Sequence, residues 1–261
     1  VAKKRRAKGR FRDFIGGQDT AEGILPLTHI TRAFSFDDML DGDGLEPEPC
    51  DVFGEELIYL FYGRPAYRAR DGSNARLEYS WPVVFIFDPK EVQSVKRVFP
   101  FDTGAFKNGR YNGFFDERNV RNDFELHPTI ESARQIVGTF YQDHTEYFTG
   151  LSRKNVDLPI RQFEAQGIHE MAKLPGDSRD ERSSAIEVQI SDFINFRDSL
   201  LAIVIPDVYL DDSETISALK NWQIDFDNIR TYQTLHNMGG EAWIGQIYAI
   251  VRNLYEKLGY L

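Results

Sequence analysis

Three polar side chains stand inside or directly against segments that read as buried strands: His29, Arg64 and Glu187. His29 lies in Leu27-Thr28-His29-Ile30-Thr31-Arg32. An imidazole between apolar strand neighbours holds one tautomer and offers a single directed hydrogen bond to a ligand. The plainer account is a core or edge histidine satisfied by backbone. Arg64 lies in Phe61-Tyr62-Gly63-Arg64-Pro65-Ala66-Tyr67. There a strand ends, Gly63 permits a sharp turn and Pro65 restricts Arg64 to extended geometry. Tyr62 and Tyr67 flank the arginine, so the segment can stack a flat ring and set a guanidinium on a phosphate. It also reads as an ordinary strand-to-turn junction whose arginine pairs with the acidic stretch upstream. Glu187 is central in Ala185–Ile190, where Ile186, Val188 and Ile190 share one face and Ala185, Glu187 and Gln189 the other. A carboxylate there is costly if buried unpaired. Lining a cleft, it can accept from a sugar hydroxyl or stabilise positive charge on a sugar ring. Facing solvent, it pairs with Arg182 or a cross-strand arginine.

Other chemistries find less support. His127, His144, His169 and His236 show no H-E-x-x-H pattern, and Ser183-Ser184 sits in no nucleophile elbow. Gly239-Gly240 is followed by neither phosphate-loop signature, which disfavours a Rossmann or P-loop fold. The stretch 41–49 (DGDGLEPEP) lacks calcium-loop spacing and reads as a surface loop. A metal-nuclease pairing of Asp88 with Glu187 lacks the usual lysine two residues after the second acid. The single cysteine, Cys50, excludes an intramolecular disulfide and a Cys-rich zinc site, so no metal is expected.

The elements that must carry these residues read as α+β. Strands are predicted at Leu27–Ile30, Leu57–Tyr62, Val83–Phe87, Ala185–Ile190 and Leu200–Ile205, with Val156–Phe163 extended. Helices are predicted from Ser35 to Leu40 with Ser35 as cap, from Lys90 to Val98, over Ile130–Phe148, over Asp212–Trp222 and over Glu241–Leu258. Together they predict a mixed or antiparallel split sheet pair flanked by helices, with the C-terminal helix on the core. Residues 99–128 lack a clear period and read as a long loop insertion rich in aromatics.

The chain has 261 residues, a formal net charge of -10 and 20 Phe, 12 Tyr and 3 Trp. That aromatic content can offset ordering entropy and argues for a folded protein. Seven of the 31 Lys and Arg fall in residues 1–12; the other 24 face 41 acidic residues, a balance of -17. Residues 1–20 therefore read as a basic flexible arm on an acidic single domain, 21–261. Such an arm can touch nucleic acid through phosphate neutralisation, pack on the body, or remain a solvated tail. The longest apolar runs are far shorter than the ~20 residues of a membrane span. No signal peptide is visible, and a cytoplasmic protein is expected.

The three polar sites come in a telling order: Thr28-His29-Ile30, then Leu60-Phe61-Tyr62-Gly63-Arg64-Pro65-Ala66-Tyr67, then Ser184-Ala185-Ile186-Glu187-Val188. That order resembles the ADP-ribosyltransferase superfamily, nearest to the DarT-like DNA ADP-ribosyltransferases. The islands lie within 27–190, implying a transferase-like core at 27–205 and a helical C-terminal part at 206–261. The sequence departs from the pattern at Pro65, where Ser follows the arginine in the relatives. It departs again at Ala185, where protein-modifying relatives carry Gln or Glu. The resemblance implies NAD as substrate in a cleft between two sheets, with nicotinamide near Tyr62 or Tyr67. It implies His29 and Thr31 on a ribose, Arg64 on the pyrophosphate, and Glu187 stabilising the oxocarbenium as nicotinamide leaves. It further implies a macromolecular acceptor, nucleic acid or protein, presented by the loop 175–184, and a bacterial toxin or defence effector. The competing expectation is a non-catalytic protein that docks partners through the aromatics of 99–128.

Overall fold

The structure, a computed structural model, describes residues 9–66, 77–173, 184–234 and 240–261, with side chains from 243 onward in the last segment. Its elements run α1 (Arg10–Gly16), β1 (Leu27–Arg32), α2 (Ala33–Asp37), β2 (Gly44–Leu45), β3 (Glu48–Cys50), β4 (Glu55–Tyr62) and β5 (Pro82–Phe87). They continue through β6 (Val95–Phe99), α3 (Thr103–Lys107), α4 (Ile130–Phe140), α5 (His144–Thr149), α6 (Phe163–Lys173) and β7 (Glu187–Ile190). The last are β8 (Ile194–Asn195), α7 (Phe196–Ser199), β9 (Leu200–Pro206), α8 (Ser213–Asn221), β10 (Ile229–Tyr232) and α9 (Gly240–Leu258).

The fold is a single α+β domain on an eight-stranded mixed sheet, ordered β10-β9-β5-β1-β4-β7-β6 with β3 added to β4. Neighbours are antiparallel except β10, which runs parallel to β9. The apolar run of β5 is buried at all six positions, as a strand covered on both faces requires. On one face Phe85 stacks on Phe196 at 5.1 Å, and Phe196 meets Trp222 at 4.5 Å. The C-terminal helix α9 packs on β9 and β10 with Trp243, Ile247, Val251 and Leu254 buried at helical spacing. Asp212 caps α8 by accepting from the Thr215 amide at 2.8 Å.

Several expectations are corrected. The predicted helix over Lys90–Val98 is instead a turn followed by β6, paired antiparallel with β7. Ser94 has φ 61, which ends any helix, and Val98 and Phe99 are fully buried against β7. The single helix over Ile130–Phe148 is two: Tyr141 is extended, and Asp143 opens α5 by accepting from the Glu146 amide. Val156–Phe163 forms no strand, while α6 and β10 were not foreseen. Ser35 lies inside α2 rather than capping it.

The arm also differs from expectation. Residues 10–16 form α1, which buries Phe11 and Ile15 and sets Phe11 edge-on to Phe124 at 6.0 Å. Arg10 pairs with the buried Glu164 at 3.1 Å. Residues 1–8 of the predicted arm lie outside the described residues. The aromatic insertion faces inward: Phe99, Phe101 and Phe124 are fully buried, Tyr111 is buried, and Phe106, Phe114 and Phe115 pack against the core. Its rings meet one another, Phe115 and Phe124 at 4.5 Å, so these aromatics belong to the core.

Candidate functional site

The site begins where two strands part. β1 pairs with β5 along all six residues, but with β4 only at Leu27↔Tyr62 and Thr28↔Phe61. The Thr28 hydroxyl pins that junction, 2.7 Å from the Arg64 carbonyl and 3.2 Å from the Phe61 carbonyl. Gly63 completes it with φ 67 and donates its backbone N–H to the Pro26 carbonyl at 2.8 Å; a Cβ there would collide with Leu25. Below Thr28 the strands diverge, and a cleft of about 1340 Å³ opens. β1 lines it with His29, Thr31 and Arg32, β4 with Tyr59 and Phe61, and the far wall carries Asp102 and Glu187.

His29 bridges the gap. Its Nδ1 lies 3.0 Å from the Tyr59 carbonyl. A carbonyl only accepts, so Nδ1 carries the proton and Nε2 is left as an acceptor. Burial holds the imidazole pKa below its ordinary value, against the opposing pull of the Tyr59 carbonyl and Glu48, which favours the neutral ring.

Glu187 is buried on β7, opposite Phe61 of β4 and Phe99 of β6. Thr103 donates its amide to Oε2 at 2.8 Å, and its hydroxyl lies 2.8 Å from Oε1. Gln189 Nε2 donates to Oε1 at 2.6 Å. Burial pushes the carboxyl pKa up to about 8, the nearby Asp102 adds to the rise, and the Thr103 and Gln189 bonds oppose it. Asp102 accepts from the Ala105 amide at 2.6 Å and opens α3, which is how the chain after β6 delivers Thr103 to Glu187.

The sites predicted from sequence divide between two faces. His29, Thr31 and Glu187 all line the cleft. Tyr62 and Arg64 do not. Tyr62 is fully buried with its hydroxyl 3.0 Å from His144 Nε2 and accepting from the Leu25 amide, so its ring is not available to stack on nicotinamide. Strand alternation turns Phe61 to the cleft in its place. Arg64 points into a tyrosine cluster, 5.6 Å from the Tyr147 ring and 6.0 Å from Tyr248, with Nη1 2.5 Å from Ser184 Oγ. It is not on the cleft wall where a pyrophosphate held beside His29 would need it. Among the described residues, Arg32 and Arg110 are the arginines that line the cleft. Tyr67, Arg182 and most of the loop 175–184 lie outside the described residues.

Compared with protein-family models, with curated proteins and with solved structures, the chain finds no match. The site therefore rests on its own geometry. Its lining includes the Glu187 carboxyl and the His29 Nε2 as acceptors beside the donor guanidiniums of Arg32 and Arg110. Such a lining suits a ligand that carries both hydroxyl donors and anionic oxygens, as a phosphorylated sugar does. Among the described residues no group of three His, Cys, Asp or Glu is placed to hold a metal ion. Asp102, Thr103, Phe61 and Gln189 were not singled out from sequence. Gln189 alone had a usable signal, because it shares strand parity with Glu187.

Proposed function

We propose that the protein is an NAD-dependent ADP-ribosyltransferase that works in this cleft. One observation carries the reading: β1 and β4 part after two residue pairs, and the opening between them brings His29, Thr31 and Glu187 to one cavity. Two of the three sequence islands thus line the cavity as the resemblance implies, while Arg64 and Tyr62 of the second island depart from it. The nicotinamide ribose lies between the acceptors Glu187 and His29. Glu187 accepts from a ribose hydroxyl and stabilises the positive charge that develops at C1′ as the C1′–N bond breaks. Nicotinamide leaves with the bonding electron pair. An acceptor oxygen or nitrogen then attacks C1′ and loses its proton to solvent. His29 Nε2 accepts from a hydroxyl, and Arg32 or Arg110 replaces Arg64 as partner of the pyrophosphate. A nucleic-acid acceptor held by the basic residues 1–8, and action in the cytoplasm, belong to the same reading; among the described residues no helix is long and apolar enough to cross a membrane.

The test is nicotinamide release from NAD by the full chain and by Glu187→Gln. The variant should keep its fold by circular dichroism and lose at least about a hundredfold in turnover, the usual scale for lost transition-state electrostatics. Near-native release by folded Glu187→Gln removes the role given to Glu187. No release and no NAD-induced thermal shift by the parent protein removes the enzyme reading.

A further inference from the structure

Gln189 lies in a chain of contacts that reaches from the outer strand of the sheet to Glu187. In register it sits opposite Arg97 on β6 and Tyr59 on β4. Arg97 is held on three sides. It pairs with Glu55 at 2.5 Å, lies 4.7 Å from the Phe53 ring centroid, and donates Nη1 to Gln189 Oε1 at 3.3 Å. A guanidinium has donors only, so the Gln189 oxygen must face it. The amide NH2 is thereby turned towards Glu187, and the 2.6 Å bond to Oε1 has a fixed polarity.

The two oxygens of Glu187 are then unequal. A carboxylate has about four acceptor positions. Oε1 meets Gln189 Nε2 and the Thr103 hydroxyl, while Oε2 meets the Thr103 amide. Among the described residues, this leaves the open acceptor position on Oε2. The other titratable or charged groups around the carboxylate are Asp102 before α3 and Tyr59 of β4, with His29 of β1 and Arg110 also lining the cleft. None supplies the neutral donor that Gln189 gives.

We infer that Gln189, oriented by Arg97, is a positioning residue for Glu187: it occupies Oε1 and leaves Oε2 as the oxygen that meets the substrate hydroxyl. The substrate part of this inference rests on the proposed NAD reading. The positioning part does not.

Two variants of the full chain separate the two. Gln189→Met keeps length and removes the donor. Arg97→Gln, on the outer strand, removes the cation that orients the amide. The carboxyl of Glu187 is followed by carbon-13 NMR across pH, with Glu187→Gln identifying its resonance. Gln189→Met should raise the Glu187 midpoint by about one pH unit, the scale of one lost bond to a charged group. Arg97→Gln should raise it by less. The acid limb of nicotinamide release should move by the same interval, with turnover at pH 7 falling about tenfold and KM changing little. An unmoved midpoint in folded Gln189→Met overturns the inference. Should that variant not fold, an unmoved midpoint in Arg97→Gln does so. A raised midpoint in a protein that releases no nicotinamide supports the positioning role and rejects the NAD reading.

Discussion

Glu187 is a carboxyl whose surroundings disagree about its charge. Burial and Asp102 favour the protonated form, while the Thr103 amide and Gln189 favour the carboxylate. With a folded pKa of about 8 against an ordinary 4.5, the folded state binds this proton more tightly than the unfolded chain does. Its contribution to stability is complete below about 4.5 and is lost as pH rises through about 8. Urea midpoints of the parent and of Glu187→Gln, measured from pH 5 to 8.5, should therefore diverge, with the parent falling more steeply. Parallel curves would show an ordinary carboxyl. If the carboxylate is the working form, nicotinamide release should climb with pH through the same interval. Both Glu187 and His29 were legible as candidates because a polar residue inside an apolar strand invites the question of its partner. The partners themselves, Thr103 and the Tyr59 carbonyl, lie 84 and 30 residues away in sequence and left no local trace.

At the level of elements, the cleft depends on a junction two residue pairs long. Gly63 sits at that junction with φ 67, directly over Leu25. Gly63→Ala adds both a strained backbone and a clash, and should cost about 2–4 kcal/mol. It should also weaken NAD-induced stabilisation, because β1 and β4 would no longer meet at the same point. Thermal melts with and without NAD check both effects; an unchanged melting temperature would show that the junction tolerates a side chain. Most strands were readable because they are apolar runs or clear alternations. β6 was not, because Val95–Phe99 carries two cations and gains its strand form from β7, which lies far along the chain. The break between α4 and α5 was likewise hidden within a continuous apolar periodicity, although Asp143 is a good helix-capping residue.

Across the whole molecule, the amino-terminal segment is part of the core. α1 buries Phe11 and Ile15, and Gln135 binds the Gly16 carbonyl at 3.1 Å. Removing residues 1–16 should cost about 3–6 kcal/mol at about 1.5–3 kcal/mol for each lost side chain. A denaturation midpoint unchanged from that of the full chain would show that α1 contributes nothing. Arg10 is already engaged by Glu164, so part of the basic charge that suggested a nucleic-acid arm serves the fold. The aromatics of 99–128 are a parallel case. Composition alone could not decide between surface and core, and packing against Phe11 and α3 decides for core.

By itself the sequence determined the α+β class, the strands that carry His29 and Glu187, and the helix that closes the chain. These follow from periodicity and burial preference, which act between neighbours. Only the tertiary structure decided that His29 and Glu187 share a cavity while Tyr62 and Arg64 turn away from it. Strand parity can be counted from sequence, but which face opens depends on where β1 and β4 separate. That separation is set by hydrogen bonds at Thr28 and Gly63 between segments more than thirty residues apart.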